Sequence, residues 1–274
     1  MPDKDRRVGS TADGLVVIRS GQQAERLGLH DPFAKWFVTD DGRKLARMAL
    51  EVDAVYEEFN LARFLYTSSL LSRFADQYEQ MVFLGAGFDC RALWLSRLND
   101  GRVRIYEVDT RAKIEQKLQR LEQHGIAVPH WNRHIICDLR VDNIPALLKD
   151  EGLQCGRPVL VLAEGLFFYL ASDVTTKILD PKQMELAKRS LMVFDCWSAD
   201  RVNGLNARVS ERIGVELFQE FPCIVEPEAL KKDLIRRGYS QVRVTPLKTI
   251  TQGYCHRTAE DEFSLSWYIV EAIL

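Results

Sequence analysis

A chain of 274 residues, 46% hydrophobic and 28% charged, has an ordinary globular composition and length for one sizeable α/β core plus additions. Its 37 basic and 39 acidic residues leave a net charge of −2, which gives no reason to expect nucleic acid or a membrane surface as a partner. No apolar run approaches the ~18–20 residues that span a bilayer, and the polar start MPDKDRRVGSTADG lacks the apolar stretch of a secretory signal.

In chain order, residues 1–15 have the composition of a flexible tail. A helix is expected from Ile18 to Leu29, stopping at Gly28 before the His30-Asp31-Pro32 break. Phe33, Trp36, Phe37 and Val38 form an apolar cluster, and Asp40-Asp41-Gly42 is a turn. Apolar spacing predicts helices over 43–59 and 61–78. A helical cap over 16–79 therefore precedes an α/β core over 80–274, both in one domain.

The core opens with the stretch Met81–Asp109. A short apolar run, Met81 to Leu84, leads into the turn Gly85-Ala86-Gly87. A helical pattern with Leu93, Leu95 and Leu98 follows, then a strand, Val103 to Tyr106, ending on Glu107 and Asp109. Strand, glycine turn, helix, strand and terminal acid make the βαβ unit that holds a nucleoside. Asp109 lies 22 residues past Gly87, where a carboxylate can bond a ribose diol. Next come a charged helix, Arg111 to Gln123, and a strand, His134 to Cys137, followed by Asp138-Leu139. Ile144 to Lys149 is a crossover helix. The continuous apolar run Pro158 to Ala163 reads as a strand buried on both faces and ends in Glu164-Gly165. A helix from about Ser172 leads to a fifth strand, Ser190 to Cys196. This alternation predicts a mostly parallel, doubly wound sheet.

The end of the chain departs from that rhythm. Residues 201–220 are mostly helical in pattern, and Pro227 to Gly238 is a helix with proline at its start and glycine at its stop. Gln241 to Val244 and Leu265 to Ile273 are strands with no crossover helix long enough between them, so the last strand is expected to run antiparallel. Six scattered cysteines, at 90, 137, 155, 196, 223 and 255, form no CxxC pair. They read as buried thiols in a reduced, cytoplasmic compartment, with no metal expected.

The glycine turn alone does not separate dehydrogenases from methyltransferases. Cys90 stands where a third glycine of GxGxxG would be, and Asp89 precedes it. A carboxylate there would repel a pyrophosphate and suit a cationic ligand, such as the ammonium and sulfonium of S-adenosylmethionine. Asp138 and Glu164 fall on the same rim, outside the carboxyl ends of the strands. Four acids there, Asp89, Asp109, Asp138 and Glu164, favour that ligand over NAD.

The segments LGAGFDCRA, EVD, Asp138-Leu139, EGLFFYL, HDPFA and Asn60-Leu61-Ala62-Arg63 together resemble the leucine carboxyl methyltransferase-like family, which includes protein phosphatase 2A methyltransferases and polyketide O-methyltransferases of bacteria. Cys90 replaces the threonine of the family's usual GAGFDTRA. The resemblance runs from about residue 10 to 196. It implies a class I methyltransferase fold, a Rossmann-like sheet with an antiparallel C-terminal strand, and S-adenosylmethionine as cofactor with S-adenosylhomocysteine as product. It further implies that Arg63 pairs with the methionine carboxylate and that Gly85, Ala86 and Gly87 pass under the methionine. Asp109 would bond the ribose, Asp138 and Leu139 the adenine, and Glu164 would lie near the amino group. By the same resemblance Arg19 corresponds, loosely in spacing, to a basic residue that family members place near the cofactor.

Methyl transfer from a sulfonium asks the enzyme mainly to align the acceptor and exclude water. A carboxylate acceptor needs no base, whereas an alcohol does. None of His30, His124, His130, His134 and His256 stands out as that base. A carboxylate or hydroxyl of a small molecule, such as a polyketide or another secondary metabolite, is therefore expected as acceptor, the carboxylate first. Tyr169, Trp197 and Arg201 are candidates for holding it: Tyr169 to bond its oxygen and Arg201 to pair with an anion. An NAD-dependent oxidoreductase and a non-catalytic S-adenosylmethionine sensor are the rival readings.

Overall fold

The computed structural model describes residues 4–52, 55–95, 98, 100–198, 226–255 and 267–274. Four helices come first: α1 (Lys4–Arg19), α2 (Gln22–Arg26), α3 (Asp40–Val52) and α4 (Tyr56–Phe74), with a 3-10 turn at Ala34–Phe37. Then come β1 (Gln80–Leu84), α5 (Arg91–Trp94), β2 (Arg104–Asp109), α6 (Arg111–Gln123), β3 (Asn132–Ile136), α7 (Ile144–Asp150) and β4 (Leu160–Ala163). A 3-10 turn at Phe167–Tyr169 precedes α8 (Ser172–Ile178) and β5 (Leu191–Trp197). The chain closes with α9 (Pro227–Arg237), β6 (Gln241–Pro246), α10 (Leu247–Cys255) and β7 (Trp267–Ile273).

The seven strands are ordered β3-β2-β1-β4-β5-β7-β6. The first five are parallel, with Val82 opposite Tyr106 and Val161. β7 runs antiparallel to β5 and to β6, with Phe194 opposite Val270. Both the parallel sheet and its antiparallel close were expected. The winding reverses between β1 and β4, which is where open α/β sheets hold ligands.

Side chains alternate between two cores. Val82, Val108, Val161, Phe194 and Val270 pack with Ile144, Val174 and Leu234 of the helices on one face. Met81, Phe83, Leu162, Val193 and Ile269 pack with Phe59, Leu71 and Leu247 on the other. Burying both faces explains why these strands read as unbroken apolar runs.

Five expectations are revised. Asp40-Asp41-Gly42, read as a turn, opens α3. Of the segment read as a tail, residues 4–15 belong to α1. Val16 and Ile18 anchor α1 in apolar clusters, and against α3 the helix packs closely at small residues: a Cβ on Gly42 of α3 would lie 2.6 Å from the Asp13 carbonyl oxygen. The helix expected over Ile18–Leu29 is interrupted because Gly21 is extended and starts α2 anew. The pattern after the glycine turn yields only the four residues of α5, after which Leu95 is extended. Between β6 and β7 lies α10, which had not been expected. The helix expected over 201–220 lies outside the described residues.

Candidate active site

Gly85 and Gly87 follow β1 with φ of +64° and +46°, a region that costs little only for glycine. A Cβ on Gly85 would come within 2.7 Å of Leu166 Cδ1, so the turn after β1 and the turn after β4 close against each other at the point of reversal. Asp109, at the end of β2, accepts a hydrogen bond from the Gly87 N–H at 2.7 Å, while its other oxygen accepts from the Thr110 N–H at 2.7 Å. The predicted strand-end acid and the glycine turn are thus one unit, joined by Ala86, which is buried.

Behind this unit lies a row of alternating charges. Asp195 Oδ2 accepts from Arg63 Nη1 at 2.8 Å, and Arg63 Nε lies 3.3 Å from Glu164 Oε1. Glu164 Oε2 accepts from Arg91 Nη2 at 2.9 Å, and Arg91 also grips both oxygens of Asp89, at 2.6 Å from Nη2 to Oδ2. The Thr67 hydroxyl donates to Glu164 Oε2 at 2.6 Å and accepts from Arg91 Nη1 at 2.7 Å. Burial alone would raise the Glu164 carboxyl, but Arg91 and then Arg63 outweigh it and hold it below its usual range. Asp89 is likewise held down, burial being overcome by Arg91. Gly165 lets the chain pass this row: with φ +65°, a Cβ there would meet the Arg63 guanidinium nitrogens at 3.3 Å. Arg63 Nε is buried, and its 3.3 Å approach to Glu164 Oε1 is an ion pair without hydrogen-bond geometry.

Asp89 requires a correction. A bare carboxylate was expected to face the ligand, yet Arg91 neutralises it two residues away, so the acid charge at the reversal point rests with Glu164 and Asp195 instead. Asp138 lies past β3, about one-third exposed, and its carboxylate folds back onto Arg140, whose bonds lower it. Leu139 packs against the core beside it. Arg19 reaches the glycine turn, donating from Nη2 to the Phe88 carbonyl at 2.9 Å while pairing with Asp31.

Of the acceptor candidates, Tyr169 and Trp197 are described, and both border Phe168 in one apolar cluster. Tyr169 is half-buried in the turn after β4. Trp197 is packed within the core, stacked on Phe168 with ring centroids 4.1 Å apart. Arg201 and His256 lie outside the described residues.

Thr67, Arg91 and Asp195 were not anticipated. One signal was present for Asp195: a single acid inside a strand buried on both faces must find a cationic or donor partner.

Residues 15–182 match the sequence profile of a family described as leucine carboxyl methyltransferase. A Mycobacterium ulcerans protein, named as an inferred S-adenosyl-L-methionine-dependent methyltransferase, is 30% identical over 239 residues, which cover 80% of this chain and 76% of that protein. Among solved structures, an inferred methyltransferase of Thermobifida fusca superposes with a TM-score of 0.62 at 15% identity, covering 97% of this chain and 94% of that one. The plantazolicin methyltransferase BamL, in complex with a triazolic desmethylPZN analog and SAH, gives 0.53 at 11% identity, covering 98% of each chain. At such identities these two structures speak for the fold alone.

Proposed function

The chain belongs to the leucine carboxyl methyltransferase family, and from that premise we propose that this S-adenosylmethionine-dependent methyltransferase acts on oxygen, with a small-molecule carboxylate as acceptor. The observation that carries the acceptor is where the proton-accepting groups lie. His134 is held under the glycine turn beside Glu107, with Nε2 3.1 Å from Oε2. His124 stacks on Trp36 at the far end of α6, and His30 and His130 are exposed loop residues. Among the described residues, no histidine stands at the strand ends where a hydroxyl would need a base. A carboxylate is already ionised at neutral pH and needs none.

The chemistry of the residues suits the cofactor: a guanidinium able to meet a carboxylate, Arg63, and a carboxylate able to meet an ammonium, Glu164, lie together behind the glycine turn. Arg63 therefore holds the methionine carboxylate and Glu164 the ammonium, while Gly85, Ala86 and Gly87 pass beneath. Asp109 bonds the ribose hydroxyls, and Asp138 and Leu139 hold the adenine. Asp89 acts at one remove, by fixing Arg91. The bound cofactor supplies a methyl group already activated by its positive sulfur. The protein's part is alignment and exclusion of water, with Tyr169 donating to the acceptor oxygen and Arg201 pairing with a substrate anion. An acid of secondary metabolism, such as a polyketide, met in a cytoplasmic setting, completes the proposal. In its favour, three of the four described free cysteines are buried, and no helix among the described residues is long and apolar enough to cross a membrane.

The test is transfer of labelled methyl to a panel of small carboxylic acids and phenols. A base-labile product on the acids supports the ester. A base-stable product confined to phenols would sink the carboxylate reading.

A further inference from the structure

Asp195 has no role in the scheme above, yet it anchors the charged row. It sits inside β5, only 1% exposed. Three donors converge on its two oxygens: the Gly165 N–H at 2.6 Å on Oδ1, and Arg63 Nη1 at 2.8 Å with Trp267 Nε1 at 2.9 Å on Oδ2. A guanidinium, an amide N–H and an indole N–H can only donate, so the site matches a carboxylate in its ionised, acceptor-only form. Burial pushes the Asp195 carboxyl up, and the Arg63 charge followed by the Gly165 bond pulls it back.

With Asp195 ionised, the row holds three carboxylates, Asp89, Glu164 and Asp195, against two guanidiniums, Arg63 and Arg91. Their side chains are at most 12% exposed, so water screens the surplus negative charge weakly. Among the described neighbours, Glu107 pairs with Lys117 and touches His134, Asp31 pairs with Arg19, and Asp109 at the turn accepts from two N–H groups and a hydroxyl, so that acid brings no cation to offset it. S-adenosylmethionine carries a carboxylate, an ammonium and a sulfonium, a net charge of about +1 at neutral pH. S-adenosylhomocysteine keeps the first two groups and is neutral overall.

We infer that Asp195 is a positioning residue that fixes Arg63 and, by leaving one negative charge uncompensated, makes the site prefer the sulfonium cofactor over its neutral product. The inference rests on the reading that Arg63 and Glu164 hold the methionine end. On methyl transfer the sulfur loses its charge, the attraction drops, and the product leaves a site that is ready for the next cofactor.

The two nucleosides differ only in the methyl group and its charge, so the ratio of their dissociation constants isolates the response to that charge. Any loss of fit around Arg63 acts on both and cancels. Calorimetric titration of the full chain with each nucleoside would compare the wild type with Asp195→Asn, Trp267→Phe and the double variant, in which the new amide no longer faces the indole N–H. The preference for S-adenosylmethionine should fall roughly tenfold in both variants lacking Asp195, the size expected for one charge ~10 Å away at an effective dielectric of ~20. Trp267→Phe, which keeps the charge, should leave the ratio at its wild-type value. An unchanged ratio in the Asp195 variants, with both affinities lowered or not, overturns the role of Asp195 alone. A wild type that binds neither nucleoside overturns the cofactor placement itself, and the inference with it.

Discussion

Two buried ionic clusters flank the glycine turn, and they are built differently. Beneath the turn, Lys117 of α6 donates both to Glu107 of β2 and to the Asp89 carbonyl, and Asn132 donates to the second Glu107 oxygen at 3.2 Å. Glu107 and Lys117 are fully buried, one acid against one base. Behind the turn, the row from Asp195 to Asp89 has an odd number of charges, three carboxylates against two guanidiniums. Both obey the rule that buried charge must be paired. The balanced cluster is complete without a ligand and pins the main chain of the turn. The unbalanced one keeps a charge in reserve, which suits a site for a cationic ligand.

The largest effect expected from this contrast lies in the balanced cluster. Lys117→Met leaves Glu107 buried without its counter-charge and should cost ~3–5 kcal/mol of stability, read by chemical denaturation. Adding Glu107→Leu should restore most of that loss, since a well-packed apolar pair can replace a buried ion pair. If the single variant is as stable as the wild type, the cluster does not hold the turn.

Next in size is Arg63→Lys. An ammonium keeps the charge but lacks the planar fork that spans Asp195, Glu164 and a ligand carboxylate. Losing one hydrogen bond to a charged group costs ~1.5–3 kcal/mol, so affinity for S-adenosylhomocysteine should fall about 10- to 100-fold. Affinity within twofold of the wild type would remove Arg63 from the proposed site.

The same contrast marks what could be read from residues alone. The parallel sheet was legible because its strands are apolar on both faces, and the antiparallel close because the sequence between Gln241 and β7 shows no pattern of a long crossover helix. The acids Asp109, Asp138 and Glu164 were legible because they follow strand ends. Their partners were not. Arg63 and Asp195 are 132 residues apart, and only the fold brings them within 2.8 Å. Arg91 is two residues from Asp89, but helical spacing does not reveal that its side chain turns back onto that carboxylate. The approach of α1 to α3 was hidden because glycines, which leave no apolar pattern, make that contact.

The clusters should also differ in sign under acid. Burial would raise the Glu107 carboxyl, but Lys117 and the His134 contact hold it below its ordinary value of 4.5. Its folded value is therefore the depressed one, and its contribution to stability is present above pH 4.5 and lost as the pH falls through the lower folded value. Asp195 is raised, so its ionisation costs stability as the pH climbs through that raised value, and the cost disappears on acidification. Denaturation midpoints against pH should accordingly become shallower on the acid side in Glu107→Gln and steeper on that side in Asp195→Asn. Parallel curves for both variants would mean that the two carboxylates are held alike.

The smallest effect tests whether the contrast is confined to these clusters. Tyr66 of α4 donates to Glu271 Oε1 at 2.7 Å, and Arg73 lies 3.5 Å from the other oxygen of that carboxylate. Burial pushes the Tyr66 hydroxyl up to about 12, so it remains a donor across the working pH range. Glu271 shares β7 with Trp267, four residues earlier, and Trp267 bonds Asp195. Tyr66→Phe should cost ~0.5–1.5 kcal/mol of stability, the net worth of one hydrogen bond, because Arg73 still answers the carboxylate. Affinity for S-adenosylhomocysteine should stay within twofold, because Trp267 is held independently by Phe168 and Phe59, with ring centroids at 6.1 and 6.3 Å. If affinity falls in step with stability, β7 transmits strain from Glu271 to Asp195, and the unbalanced row extends along the strand instead of ending at the indole.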